Sequence, residues 1–170
     1  PKTNPKGVAV VGNFHSRNER EYFANIDEMR RTVEDGLGLD LVSVWLAGTD
    51  TDELKRINEA AAIVSLPYGR EAARRLAERL GVPLIECELP FGPDASIAFI
   101  EKIAKHFDCE DRIPAMLDED LGDMALKFEF LIPTYFLHKH IGFVGDSHHL
   151  SGLVDMVAEL GLRLSFAVIT

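Results

Sequence analysis

Apolar residues fall along this chain in two kinds of run that alternate with each other. Val8-Ala9-Val10-Val11 is short and unbroken and is closed by Gly12, as expected of a strand buried on both faces of a sheet. Tyr22, Ile26, Met29 and Val33 then recur at three- and four-residue spacing, which predicts a helix. Ser16 and Glu19 stand as a capping box at its start, and Gly36 and Gly38 stop it. A second strand is predicted over Leu41 to Leu46, and Thr51 caps a short helix carrying Leu54 and Ile57.

The alternation continues with a third strand, Ala62 to Leu66, running into Pro67. The helix after it carries Ala72, Ala73, Leu76 and Leu80 and ends at Gly81. Pro83-Leu84-Ile85 is a fourth strand. It leads to the turn Pro90-Phe91-Gly92-Pro93 and a helix from Asp94 through Ile97, Ile100, Ile103 and Phe107. Strands and helices that alternate this regularly call for a parallel sheet with right-handed crossovers. The expected fold class is therefore α/β. Residues 1–108 form a Rossmann-like parallel four-stranded sheet flanked by helices.

After Cys109 the period changes. Residues 109–138 are helical in propensity, interrupted by Gly122 and Pro133, and read as a connector of one or two helices. Ile141 to Val144 resumes a strand, and Gly145-Asp146-Ser147 makes a turn. Leu150, Val154, Val157 and Leu160 mark a helix ended by Gly161, and Leu162 to Ile169 is the strand after it. Residues 139–170 are thus one βαβ unit, the opening of a second Rossmann-like domain. Pro1 is not an initiator Met and Thr170 directly follows an apolar run, so both ends read as cuts in a longer chain.

Charge narrows the partners. A net charge of -10 opposes binding to nucleic-acid phosphates or to anionic lipid, since both need a surplus of Lys and Arg. No segment approaches the roughly 20 apolar residues of a membrane span. The N-terminal residues lack the apolar stretch of a signal peptide, and two cysteines make no disulfide framework. Cytoplasm is the expected location, with neither nucleic acid nor membrane as partner.

Ligands of open α/β sheets bind beyond the carboxyl ends of the strands. That rule selects Asn13, His15 and Ser16 after the first strand and Ala47 and Gly48 after the second. It also selects Tyr68, Gly69 and Arg70 after the third, and Phe91 and Gly92 after the fourth. An imidazole, a guanidinium and helix N-termini on one rim suit an anionic group or cluster. The competing reading is that these residues only cap helices and shape turns, as on every such rim.

Other chemistry is thinly represented. Gly12 stands alone, without the G-x-G-x-x-G spacing of a dinucleotide site, and there is no phosphate-binding G-x-x-x-x-G-K-[ST] loop. His138 and His140 are separated from His148 and His149 by a predicted strand. At about 3.3 Å per residue its ends lie too far apart for one metal ion. Cys87 and Cys109 read as inert thiols and cannot hold an iron–sulfur cluster alone. No metal site and no catalytic residue is identified.

The order and spacing of several short stretches resemble the middle of a nitrogenase component 1 subunit. These are Val10-Val11-Gly12-Asn13-Phe14, the stretch from Asn58 to Ile63, Gly81-Val82-Pro83 and the Pro90-Phe91-Gly92-Pro93 turn with its helix to Asp108. Gly142-Phe143-Val144-Gly145-Asp146 and Glu159-Leu160-Gly161-Leu162 complete them. The resemblance covers nearly the whole chain and implies the second domain, connector and start of the third domain of such a subunit. It further implies a parent complex that holds an iron–sulfur or iron–molybdenum type cluster. That parent pairs with a homologous component 1 subunit in a heterotetramer-like assembly and takes electrons from an ATP-hydrolysing iron protein.

One departure stands out. Where the α-type subunits of that family place a cofactor-ligating cysteine, this chain has Ser65, and a hydroxyl is a poor substitute for a soft thiolate on iron. Ser65-Leu66-Pro67-Tyr68 is more similar to the β-type and cofactor-scaffold subunits. The resemblance implies that Asn13, His15, Tyr68 and Arg70 face a cleft where a cluster or substrate binds. It also implies that these 170 residues alone bind no cofactor and catalyse nothing. The alternative is a non-redox, small-molecule-binding α/β module.

Overall fold

The computed structural model describes residues 4–13, 21–47 and 51–170. The predicted capping box, Ser16 and Glu19, and the candidates His15 and Gly48 lie outside the described residues. Within them the chain clusters into two units, Pro1–Cys87 with Ile100–Arg112, and Glu88–Phe99 with Ile113–Thr170.

The first unit is built on strands β1 (Gly7–Val11), β2 (Asp40–Val44), β3 (Ala62–Ser65) and β4 (Leu84–Glu86). They form one parallel sheet in the order β2-β1-β3-β4. β1 is central and Val8 to Val11 are all fully buried, which explains the absence of any polar alternation in that run. One face carries Ala9, Val11, Val42 and Ile63, packed with Ile57, Ala60, Ala73, Leu76 and Ala77. The intervening residues Val8, Val10 and Val64 are buried on the opposite face.

The expected crossover helices are present. Helix α1 (Glu21–Arg30) widens into a π-helical turn at Arg31–Gly36, where the Leu37 amide reaches back to the Thr32 carbonyl at 3.1 Å. Its predicted stripe is the inner face, with Tyr22, Met29 and Val33 buried. Helix α2 (Thr51–Arg56) ends in a 3₁₀ turn. Helix α3 (Arg70–Leu80) ends at Gly81, whose φ of 68° suits the left-handed cap. Helix α4 (Pro93–His106) follows β4.

The structure departs from the sequence reading at the second strand. β2 stops at Val44 because the Trp45 amide makes the last bond to β1, to the Val10 carbonyl at 2.8 Å. Leu46 then turns with φ of 66° and is exposed, so Trp45 and Leu46 belong to a turn rather than to the strand.

In the second unit, helix α5 (Ile113–Leu131) runs unbroken through Gly122, contrary to the expected interruption there. Good helix formers on both sides outweigh the roughly 1 kcal/mol cost of one glycine. Pro133 does perturb the helix, in a π-helical turn over Ile132–Phe136. Gly122 sits mid-helix, and a methyl group added there would meet open space. Gly122→Ala should therefore stabilise the protein by about 0.5–1 kcal/mol, read as a raised denaturation midpoint. A lowered midpoint would contradict the helical geometry.

Strands β5 (His140–Gly145) and β6 (Arg163–Ile169) are parallel and joined by helix α6 (Ser147–Glu159), the predicted βαβ unit. The Asp146 carboxylate accepts from the His148 amide at 2.7 Å and caps α6. Gly142 pairs with Phe166, whose ring lies over it in place of a side chain. No helix among the described residues is long and apolar enough to cross a membrane.

Candidate functional site

β1 runs on to β2 at one edge, and the chain then crosses back over β1 to lay down β3 on its other side. The direction of winding therefore reverses between β1 and β3, where ligands of open parallel sheets bind. Two glycines let the strand ends approach there. A methyl group on Gly12 (φ 109°) would lie 2.7 Å from the Gly69 nitrogen and 2.8 Å from the Leu66 carbonyl oxygen. One on Gly69 would lie 2.6 Å from the Gly12 Cα. Only bare backbone fits on either side.

Ser65 ends β3, and Asn13 stands two residues beyond the end of β1. Asn13 is 5% exposed and Ser65 is fully buried. The Asn13 Nδ2 and the Ser65 Oγ are the buried side-chain atoms, among the described residues, that have no hydrogen-bond partner. Such atoms are rare because each forfeits its solvation without compensation. The backbone around Ser65 is bonded. The Leu66 amide donates to the Val11 carbonyl (2.8 Å) and the Cys87 amide to the Ser65 carbonyl (2.9 Å).

Of the other candidates, Arg70 is half-buried, and its Nη1 donates to the Ser65 carbonyl oxygen at 2.5 Å. The guanidinium thus caps the end of β3 from the first turn of α3. Tyr68 is half-buried in the 3₁₀ turn Pro67–Gly69. At the end of β2, the carbonyl of buried Ala47 accepts from the Tyr22 hydroxyl at 2.5 Å, a tie between α1 and the rim that no sequence motif announced. Phe91 and Gly92 cluster with the second unit. There the Phe91 ring meets His149 edge-on at 5.6 Å, and the turn packs against Gly152 of α6.

The histidines are distributed as the strand geometry required. His138 and His140 precede or begin β5, and His148 and His149 follow it. The His140 Nδ1 is 2.9 Å from the Ser165 Oγ. No group of three His, Cys, Asp or Glu side chains among the described residues is placed to hold a metal. A cluster of iron and sulfide needs several accessible thiolates, and the donors at the β1–β3 end are an amide, a hydroxyl and a guanidinium. The residues present do not fit direct ligation of such a cluster.

Cys87 is 1% exposed, whereas Cys109 is half-buried beyond α4. Burial pushes the Cys109 thiol up, opposed by the Arg112 guanidinium and reinforced by Asp111, Glu110 and Asp108. Because thiolate is the reactive form, Cys109 should alkylate with iodoacetamide more slowly than a free thiol at pH about 8. Cys87 should react only on unfolding. Equal rates for Cys109 and a small-molecule thiol would refute the shift. A raised folded-state value also means that the unfolded thiol ionises first. The stability Cys109 contributes is whole below the ordinary thiol range and is lost as pH rises through the folded value.

What sequence reading missed is the contact between Gly12 and Gly69 and the orphaned state of the Ser65 hydroxyl. The available signal was a glycine directly after β1 and another closing the short link between β3 and α3.

A family model described as nitrogenase component 1 type oxidoreductase matches residues 1–170. Subunit N of the light-independent protochlorophyllide reductase of Cyanophora paradoxa is 33% identical over 107 residues, 62% of this chain and 22% of that protein. The same subunit of Synechococcus elongatus is 28% identical over 123 residues, 72% of this chain and 26% of that protein. The chain thus spans about a quarter of the length of these curated relatives. Among solved structures, nitrogenase Cp1 at pH 5 superposes with a TM-score of 0.80 at 16% identity, over 98% of this chain and 33% of that one. Nitrogenase Cp1 at pH 6.5 gives 0.70 at 20% identity, over 98% and 38%. At these identities the superpositions establish the shared α/β fold. With the family model matched from end to end, the chain belongs to the nitrogenase component 1 type oxidoreductase family.

Proposed function

We propose that this chain is part of a supporting subunit of a nitrogenase-like reductase acting on a tetrapyrrole of the protochlorophyllide type. The observation that carries the reading is Ser65, a buried hydroxyl at the end of β3 where an iron-ligating subunit needs a thiolate. The names of the two relatives supply the substrate class. In this reading residues 1–108 are the second domain of the subunit, 109–138 a connector, and 139–170 the start of the third domain.

The metal cluster of the parent complex is held by residues outside this set, and the chain shapes and polarises the space beside it. In this reading Asn13, Tyr68 and Arg70 border that space, and His15 is proposed as a fourth member from its place in the sequence after β1. A homologous subunit completes the complex, and an ATP-hydrolysing iron protein delivers the electrons, in the cytoplasm. A second reading, a scaffold on which an iron–molybdenum cofactor matures, is favoured by the same serine.

Coexpression of the complete subunit with its homologous partner separates the two readings. The purified complex, given the iron protein, MgATP and a reductant, should consume protochlorophyllide, followed by absorbance. A complex that leaves the pigment unchanged, yet passes a molybdenum-containing cluster to an acceptor protein, would replace the first reading with the second. In the active complex, a His15/Arg70 double substitution should alter the EPR signal or turnover. Unchanged iron content, signal and rate would remove both residues from the site.

A further inference from the structure

The orphaned Asn13 amide and Ser65 hydroxyl point to a role for this pair that goes beyond shaping the strand ends. Both are donors, both are at least nine-tenths buried, and neither has a partner among the described residues. Ser65 ends β3 and Asn13 stands two residues beyond the end of β1, the two adjacent strands between which the sheet reverses its winding. An alanine or valine at position 65 would avoid the desolvation cost of the hydroxyl, since β3 is otherwise apolar at Ala62, Ile63 and Val64. The backbone beside Ser65 does not need the hydroxyl either, because the Leu66 amide and the Ser65 carbonyl are bonded to other backbone groups. The cost is therefore carried without structural return, which is the pattern expected where stability is exchanged for recognition.

We infer that Asn13 Nδ2 and Ser65 Oγ donate hydrogen bonds to an uncharged or anionic oxygen of the organic ligand, a ketone or carboxylate, and that they act as specificity-determining residues. This deepens the proposed function and rests on it for the identity of the ligand. The neighbouring charge agrees. The Arg70 guanidinium at the Ser65 carbonyl adds positive potential at the end of β3, and among the described residues no carboxylate is bonded to either donor. Donors left unpaired penalise a ligand that lacks the matching oxygen, so the pair discriminates more strongly than an apolar wall would.

The test measures stability and binding on the complete complex, with Ser65→Ala and Asn13→Ala compared with wild type. Without ligand, Ser65→Ala should raise the melting temperature by about 2 °C, because an orphaned donor has been removed. With protochlorophyllide as the probe, each variant should bind on the order of 10-fold more weakly. A melting temperature lowered by Ser65→Ala would overturn the inference, since the hydroxyl would then have a structural partner such as a buried water. Wild-type binding with unchanged affinity in both variants would overturn it too, while leaving the proposed function intact. A wild-type complex that binds no protochlorophyllide would remove the function and this ligand together.

Discussion

Gly12→Ala and Gly69→Ala are each expected to lower the stability of the first unit by about 3–5 kcal/mol. Two costs combine at Gly12. Its φ of 109° is a conformation that a side chain resists, worth about 1–3 kcal/mol, and its Cβ would press into the backbone of Leu66 and Gly69. At Gly69 only the contact operates, but all three nearest atoms are backbone atoms of Val11 and Gly12, none of which can rotate away. Trp45, the only tryptophan, lies in the first unit, so denaturant unfolding followed by its fluorescence reads the effect directly. Gly81→Ala separates the two terms. It shares a positive φ, at 68°, but meets nothing within 4 Å, and should cost only about 1–2 kcal/mol. Equal losses at Gly12 and Gly81 would mean that the close approach of β1 to the β3–α3 link contributes nothing.

Gly152→Ala should destabilise the second unit by about 3 kcal/mol, at the upper end for an inserted methyl group. The added carbon would lie 2.1 Å from the Phe91 carbonyl oxygen, far inside van der Waals contact. Relief requires α6 to withdraw from the Pro90–Gly92 turn, which would also separate the Phe91 ring from His149. Amide hydrogen exchange along α6 is the appropriate measure, because the unit has no tryptophan. Exchange should accelerate by about two orders of magnitude, since each 1.4 kcal/mol is a factor of ten. Exchange at the wild-type rate would show that α6 does not depend on that contact.

The sheet was legible because its signal is local. Unbroken apolar runs such as Val8 to Val11 and Ala62 to Val64 report strands buried on both faces, and the helical periods between them fix the order of elements. Strand ends were less legible. Nothing in Trp45-Leu46 says that the last β1 carbonyl bonded on the β2 side is that of Val10, so the run reads as strand although it turns. Gly122 was misread for a related reason, since a breaker's effect depends on the helix formers around it. The rim rule selected Asn13 and Arg70, which follow β1 and β3 in the first unit, and also Phe91 and Gly92, which cluster with the second unit. Resemblance drew attention to position 65 for its missing thiol. The unpaired state of its hydroxyl emerges only from three-dimensional packing, because a serine's partners are not encoded by its neighbours in sequence.

The first unit is discontinuous, and that has a kinetic consequence. A nascent chain that has released everything through Cys87 holds all four strands of the sheet. It still lacks Ile103 and Ala104, two wholly buried residues of the same unit, which arrive only after Glu88–Phe99 has been made for the other unit. At roughly 5–20 residues per second, the ribosome leaves that apolar surface open for on the order of a second. For that interval the emerging sheet is a natural client for a chaperone.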